Sequence, residues 1–511
     1  MPCILSIDSG LTVTKVVIYG LDGAPLAVAR RNIPQLITAP RFVERDMAVL
    51  WEQTAAAIRE AIELCGQSPG DVLAVSATAH GDGLYLLDRR GLPLGAGILS
   101  LDSRAAGIVS EWSARGVDER SLALTGQEPH VSAPSALLAW VKAEEPERYG
   151  RIGHVLACKD WLRFRLTGTV GTDRTEASTS FTDVRSQTYA SEALELFGLT
   201  EVEAALPDVS HSAEIVGTVT AEAAARTGLV TGTPVAAGLH DVTASALGIG
   251  AHRPGIMGIV AGTYSINEIV SDAPETGQGW YCRNAVAPGQ WNNMAISPAS
   301  ATNYDWFLDT FCGAERALAD REGRSIHLAL APEIDAALAR PSSVVYHPYL
   351  FGSPHGAIAS AGFVGLRGWH GRGDVLAALL EGIAFNHRHH VDTLRAHFPT
   401  DRARLTGGAS RNPTVARLFA DTLGIPVTVT DTDEAAAWGA ALCAGAAVGA
   451  FDRLDADPRE LEAASTTYQP DPERTAHYEK RYAVYREIAE SMGENWRKLE
   501  ALGSTGRESG T

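Results

Sequence analysis

No apolar run in these 511 residues approaches the roughly 20 residues that a membrane-spanning helix needs. Basic residues are in deficit: 43 Lys and Arg stand against 61 Asp and Glu, a formal net charge of −18. So acidic a chain argues against a nucleic-acid or anionic-membrane surface, since both draw their affinity from Lys and Arg. An anionic ligand would have to be held locally, by backbone N–H groups or by metal. Cysteine is scarce as well. The six residues, at 3, 65, 158, 282, 312 and 443, form no Cys-x-x-Cys pair. No zinc site is visible, and unpaired, mostly buried thiols in a reducing cytoplasm are expected. Met1-Pro2-Cys3-Ile4-Leu5-Ser6-Ile7-Asp8 shows no basic leader and no small-residue cleavage site, which agrees with a cytoplasmic location. The chain also lacks Gly-x-x-x-x-Gly-Lys-Ser/Thr and Gly-x-Gly-x-x-Gly, so neither a P-loop nor a Rossmann fingerprint is supported. What remains is 45% hydrophobic and 20% charged, an ordinary globular composition long enough for two or three domains.

The organising stretch is Gly238-Leu-His-Asp-Val-Thr-Ala-Ser-Ala-Leu-Gly248. The run Pro234–Ala237 before it reads as a short buried strand, and small residues after it read as a helix. Asp241 therefore falls where a strand ends and a helix begins, a position that faces crevices in α/β sheets. It can accept a proton from a substrate hydroxyl, help hold a metal ion, or simply cap the helix.

Two hairpins repeat one design. In the first, Ile4–Ile7 is a strand, Asp8-Ser9-Gly10 a turn, and Thr12–Tyr19 the returning strand. Such a turn offers backbone N–H groups and hydroxyls to a phosphate, and Asp8 can bind Mg²⁺ through water. Residues 256–270 repeat it, with Gly262-Thr263 at the turn. Two copies half a chain apart suggest two related domains, each supplying one phosphate-binding turn. Gly407-Gly408-Ala409, at a later strand–helix junction, either admits a planar or anionic ligand to the backbone or is a Gly-rich connector. Glu434–Ala447 reads as a helix of small residues packed tightly against another element.

Polar residues gather at two strand ends. Val72–Thr78 delivers His80 and Asp82; Ile98–Leu101 delivers Asp102 and Arg104. Asp82, between two glycines, is hard to explain as core, whereas His80 could be a satisfied structural histidine. Arg163 and Arg165 read as solvating a helix face. His387-Arg388-His389-His390 reads as a solvated helix end rather than a metal site, with Arg388 among the histidines and no cysteine near.

Together these pieces resemble the FGGY carbohydrate kinases, over about residues 4–450. Asp8-Ser9-Gly10 with Thr12 and Lys15 is similar to the family's first phosphate motif, and Gly262-Thr263 to its second. Gly407-Gly408-Ala409 with Asn412 is similar to its adenosine motif, and Gly238 to Gly248 to the segment with the catalytic base. Cys158–Gly168 with Thr172-Asp173 resembles a further signature. Leu11 departs from the family, which usually carries Thr there; Thr12 is left to supply that hydroxyl.

The resemblance implies an α/β fold of two ribonuclease-H-like domains, as in the actin and sugar-kinase superfamily, with the active site in the cleft between them. Residues 1–250 would hold sugar and the first phosphate motif, and 251–511 the nucleotide. The implied reaction is ATP-dependent phosphorylation of a sugar or polyol hydroxyl. Asp241 would be the general base, and His80, Asp82, Asp102, Arg104 and His240 would meet the sugar. Gly10, Thr12, Lys15, Gly262 and Thr263 would hold the phosphates, with Mg²⁺ near Asp8. Gly407, Gly408, Ala409 and Asn412 would line the adenosine end, with Ala301 and Asn303 as neighbours. A non-catalytic ATP-switch protein is the rival. Many relatives dimerise, so a homodimer is expected by analogy. The loops around His80, Lys15 and Thr263 look most like the L-xylulose and 3-keto-L-gulonate branch, with erythritol kinases nearby. A negative Asp82 disfavours an acidic substrate unless Arg104 or another cation compensates, so a neutral ketopentose or polyol is expected.

Overall fold

The computed structural model describes residues 1–356 and 358–504. The sequence from Gly503 onward is rich in Gly and Ser, a composition expected to be disordered, and falls mainly outside that range. The chain folds into two compact units. Residues Met1–Pro254, Val270–Asn293 and Glu434–Ala463 form the first; Gly255–Ile269, Met294–Asp433 and the chain from Ala464 form the second. A single cut at 250 therefore does not describe the path, because two later segments rejoin the first unit. Apolar burial explains both returns. Cys282 and Trp291 bury against Val184, and Trp438 buries against Tyr19, ring centroids 4.9 Å apart.

The first unit is built on a six-stranded sheet in the order Ile215–Thr218, Pro234–Ala236, Val72–Ala79, Cys3–Ser9, Val13–Gly20, Pro25–Asn32. Cys3–Ser9 and Val13–Gly20 form the expected hairpin, with Asp8 opposite Lys15. Val72–Ala79 runs parallel to the first strand, so the carboxyl ends carrying Asp8 and His80 lie side by side. Their near-continuous apolar sequences follow from burial on both faces. The second unit repeats the pattern. Met257–Ala261 pairs antiparallel with Ser265–Ser271 and parallel with Ala403–Thr406, and the latter is followed in parallel by Val427–Thr430.

The small-residue helix Ala435–Ala447 packs against the helix Asp241–Gly248. Two glycines permit this approach. A Cβ on Gly439 would meet the Ala244 carbonyl oxygen at 2.0 Å, and one on Gly248 would meet that of Ala435 at 2.0 Å. Backbone cannot yield as a flexible side chain can, so Gly439→Leu is expected to cost about 1–3 kcal/mol or more and to displace the helix that starts at Asp241. Denaturant unfolding followed alongside turnover checks this: both should fall, and unchanged turnover would mean that the crossing does not position Asp241.

Two expectations fail on burial. Arg163 does not solvate a helix face; it is 1% exposed. The histidine run is not a solvated end either. His387 and His390 lie buried inside the long helix Arg372–Arg395. His387 bonds Asn267 and Ser300, and His390 bonds Ser297.

Candidate active site

Asp241 is the first residue of its helix, directly after the buried strand Pro234–Ala236 and a turn. Gly238 makes that turn: its φ is 76°, and a Cβ there would strike the Ala77 carbonyl oxygen at 2.0 Å. The cap itself is His240, whose Nδ1 accepts from the Val242 N–H at 3.3 Å. Asp241 Oδ1 also accepts from Val242 N–H, at 2.8 Å, and its side chain stays one-third exposed. Burial raises its carboxyl, Asp8 and Asp82 raise it further, and backbone N–H groups of Val242 and Gly81 oppose them; the pKa stands at about 7. A carboxylate so poised suits general-base work near neutral pH.

Buried polar residues hold this turn from below. The His240 N–H donates to Thr175 Oγ1 at 2.9 Å, and Thr175 Oγ1 donates to Asp173 at 2.8 Å. Asp173 also accepts from Ser212 and pairs with Lys159 at 3.0 Å. Thus the Cys158–Gly168 and Thr172-Asp173 stretch positions the turn that carries Asp241. Lys159, although buried, is held up at about 12 by Asp160 and Asp173.

Asp8 sits at the end of the first strand, with Lys15 Nζ 3.8 Å away. Burial raises its carboxyl to about 6, against the lowering effect of Lys15. Lys15 and Arg30 both pair with Glu434, at 2.7 and 2.6 Å. Arg45 Nη2 donates to the Gly10 carbonyl at 3.0 Å and also to that of Leu11. Leu11 itself packs against the first unit's core, and Thr12 is exposed at the turn. Burial thus accounts for the departure from Thr at 11.

His80 is buried beside Tyr85, with Nε2 3.2 Å from the phenol oxygen, and burial pushes its pKa down to about 3. Asp82 adopts a left-handed φ of 55°, which Asp tolerates better than most side chains. Burial alone would raise its carboxyl, but Arg283 and then His130 hold it well below the usual carboxylate range. Arg283 Nη2 donates to Asp82 at 3.0 Å and Nε to Gln127 at 2.8 Å, while Nη1 lies 3.4 Å from His240 Nε2. Burial, with Arg283 next in weight, lowers His240 to about 4, so it is neutral. Asp82, His240 and Arg283 therefore form one cluster, and Arg283, which no motif marks, is its hub.

Asp102 and Arg104 do not share it. Arg104 Nε and Nη2 donate to the two Asp102 oxygens at 2.9 and 2.8 Å, and Nη2 also reaches Glu44 at 2.7 Å. Asp102 further accepts from the Val43 and Arg104 backbone N–H groups, and the guanidinium lies over Phe42 at 4.1 Å. The carboxylate of Asp102 and the Nε and Nη2 of Arg104 are thus turned to one another and to the adjoining loop rather than to the Asp82 cluster. The cation that compensates Asp82 is Arg283.

In the second unit, a cavity of about 600 Å³ is lined by Gly262, Thr263, Ala301, Gly408, Ala409 and Asn412. The Ala301 N–H donates to the Gly262 carbonyl at 3.0 Å, tying the hairpin turn to the helix Thr302–Phe311. Gly407 precedes the lining at the strand end, and Asn412 caps the helix Pro413–Leu423. Asn303 does not face this cavity. It is fully buried, accepting from the Tyr346 hydroxyl at 3.1 Å and donating to the Ser300 carbonyl. Tyr304 and Asp305 line the cavity instead. They lie three and four residues after Ala301 on its helix face, a spacing that could have found them. His327 and Arg411 also line it without any sequence signal.

A cavity of this size fits a nucleotide, and the polar cluster at Asp241 fits a hydroxylated acceptor. The N-terminal domain model of the FGGY family of carbohydrate kinases matches residues 3–248, and the C-terminal domain model matches 257–448. The chain belongs to the FGGY family of carbohydrate kinases. It is thus a phosphotransferase with the two-domain FGGY fold, and a non-catalytic switch is not favoured. The chain is 32% identical to the L-xylulose/3-keto-L-gulonate kinase of Escherichia coli over 96% of its own length and 97% of that protein. It is 29% identical to the erythritol kinase of Brucella abortus, covering 97% of each. The ligand-bound xylulose kinase structure from Lactobacillus acidophilus superposes with a TM-score of 0.87 at 22% identity, over 98% of this chain and 100% of that one, which speaks to the fold alone. Among the described residues, no helix is long and apolar enough to cross a membrane.

Proposed function

We propose that this FGGY kinase transfers the γ-phosphoryl group of ATP to a hydroxyl of a ketopentose or related polyol, with Asp241 as general base. The observation that carries this reading is a carboxyl held at about 7 at the mouth of a turn shared with the Asp82–Arg283–His240 cluster. The Asp241 carboxylate takes the proton of the attacking hydroxyl as that oxygen bonds the γ-phosphorus, while the bond from the γ-phosphorus to the β–γ bridging oxygen breaks and ADP leaves. Asp82 accepts sugar hydroxyls through charge-assisted hydrogen bonds, while Arg283 fixes its orientation. Lys15, Gly10, Thr12, Gly262 and Thr263 meet phosphates.

Asp8 fits a Mg²⁺ role: it is a hard oxygen donor whose raised pKa of about 6 a divalent cation would lower. Among the described residues no group of three or more His, Cys, Asp or Glu could cage a metal. Mg²⁺ usually binds through one or two carboxylates together with phosphates and water. When bound, it would offset phosphate charge.

The named activities of the relatives, on L-xylulose, 3-keto-L-gulonate and erythritol, set the test panel: pentuloses, hexuloses, pentitols, tetritols and a keto-hexonate, each assayed for ADP release. Because Arg283 offsets Asp82, charge alone no longer excludes the keto acid. A neutral ketopentose remains our favoured substrate; release of ADP with none of the panel would overturn the reading.

The nucleotide end has its own test. A Cβ on Gly408 meets nothing within 4 Å, so a bulky side chain there enters the cavity without disturbing the fold. Gly408→Trp should raise KM for ATP by tenfold or more, on the order of the 1.4 kcal/mol that separates decades of affinity, and leave KM for sugar near normal. Equal effects on both would reduce the Gly-Gly-Ala turn to a connector.

A further inference from the structure

Glu176 lies in the short helical turn Arg174–Ala177, after the strand Thr172–Asp173. It is 4% exposed, and neither carboxyl oxygen has a hydrogen-bond partner among the described residues. The Thr172 hydroxyl, 2% exposed, is also unpaired. Both residues line the same small recess, of about 40 Å³. Asp82, the acceptor assigned to the sugar, lines it too, and Phe181, Val155 and Leu206 supply apolar wall.

Buried polar groups are nearly always paired, so two unpaired side chains aimed at one recess mark where a partner belongs. Burial lifts Glu176 well above the ordinary carboxyl range, and Asp160, Asp173 and Asp82 add to this against Lys159. These effects favour its protonated form. A neutral carboxyl offers one O–H donor and one carbonyl acceptor, and a threonine hydroxyl offers both. A sugar hydroxyl, which donates and accepts, matches that pair. A single water needs only about 10–15 Å³ of such volume, so a recess of about 40 Å³ has room for a group of hydroxymethyl size. Its apolar wall suits a methylene.

We propose that this recess is a subsite of the sugar pocket that receives a terminal hydroxymethyl group of a neutral substrate, with Glu176 and Thr172 as its hydrogen-bonding walls. The proposal rests on the reading that the sugar binds at Asp82. It makes Glu176 a specificity-determining residue that measures chain length: a four-carbon substrate leaves the recess empty, and a longer one overfills it.

The test uses the full-length enzyme with neutral ketoses and alditols of four, five and six carbons, measuring kcat, KM for each and KM for ATP. Glu176→Gln keeps a donor and an acceptor and should stay within about threefold in KM. Glu176→Leu fills the recess with an apolar branch. It should raise KM for the preferred sugar about tenfold or more, leave KM for ATP unchanged, and shift preference toward the next shorter chain. Thr172→Val removes only the second hydroxyl. It should weaken the same preference and serves if the leucine variant does not fold. A merely structural role would lower all chain lengths alike. Uniform loss, or an unchanged chain-length order in Glu176→Leu or Thr172→Val, overturns the subsite while leaving the Asp82 reading intact. Failure of the unmodified enzyme on the whole panel removes the Asp82 reading and the subsite together.

Discussion

Asp241→Asn is expected to lower turnover by about 10²–10⁴, the usual contribution of a positioned base, with ATP binding unchanged. The substitution is conservative in the fold. Asn keeps an oxygen for the Val242 N–H that Asp241 now accepts at 2.8 Å, and His240 remains the helix cap. The nucleotide cavity is lined by residues of the second unit, so its affinity should not move. His240 is no substitute base: burial lowers its pKa to about 4, and its Nδ1 already accepts from the Val242 N–H. Stability should move the other way. Asp241 titrates at about 7 when folded, against 3.8 for an ordinary Asp. A raised carboxyl binds its proton more tightly in the folded state, so it costs stability as pH rises through that window, fully above it. At pH 8, Asp241→Asn should therefore unfold at a higher temperature than the unmodified chain. Stopped-flow or steady-state turnover, nucleotide titration and thermal unfolding read the three arms separately. Turnover surviving within tenfold would place the base elsewhere.

How much of this was legible depended on whether the determinants were local. The hairpins at Asp8 and Gly262 were readable because strand alternation and turn chemistry act within about fifteen residues. The same holds for the Asp241 junction and the Gly408 turn. The Ala435–Ala447 helix was recognisably small-residued, but only the structure supplies its partner, the Asp241–Gly248 helix. The pairing of Asp102 with Arg104 was not legible, because a charged pair two residues apart at a strand end looks the same whether it faces a ligand or itself. Their closure on each other and Glu44 is a side-chain arrangement. Asn303 was misplaced by one helical step, since positions 301, 304 and 305 share a face and 303 does not. Arg283 was invisible for a different reason. It lies on a strand, Tyr281–Asn284, in a segment that rejoins the first unit from beyond the expected boundary. Its partners Gln127, Asp82 and His240 lie 156, 201 and 43 residues away in sequence. No local pattern records pairings of that range.

Arg283 also changes what Asp82→Ala should do. Its side chain is 3% exposed, and Asp82 carries the opposing charge. Removing one member of a buried pair costs about 3–5 kcal/mol, because the other is left uncompensated; with Asp82 18% exposed, the lower end applies. The variant should thus lose stability as well as catalytic efficiency. The second loss is expected at about 10–100-fold in kcat/KM for the sugar, the equivalent of a hydrogen bond to a charged group at roughly 1.5–3 kcal/mol. Two further variants separate the effects. Asp82→Asn keeps an acceptor for Arg283 Nη2 but not the opposing charge, so it should lose less stability than Asp82→Ala while still impairing the sugar. Asp82→Ala combined with Arg283→Met removes both charges and restores stability by ending the uncompensated burial. If sugar efficiency returns with stability in that double variant, Asp82 serves only to neutralise the arginine. If stability returns and efficiency does not, with KM for ATP normal throughout, Asp82 is a ligand to the sugar and Arg283 the group that aims it.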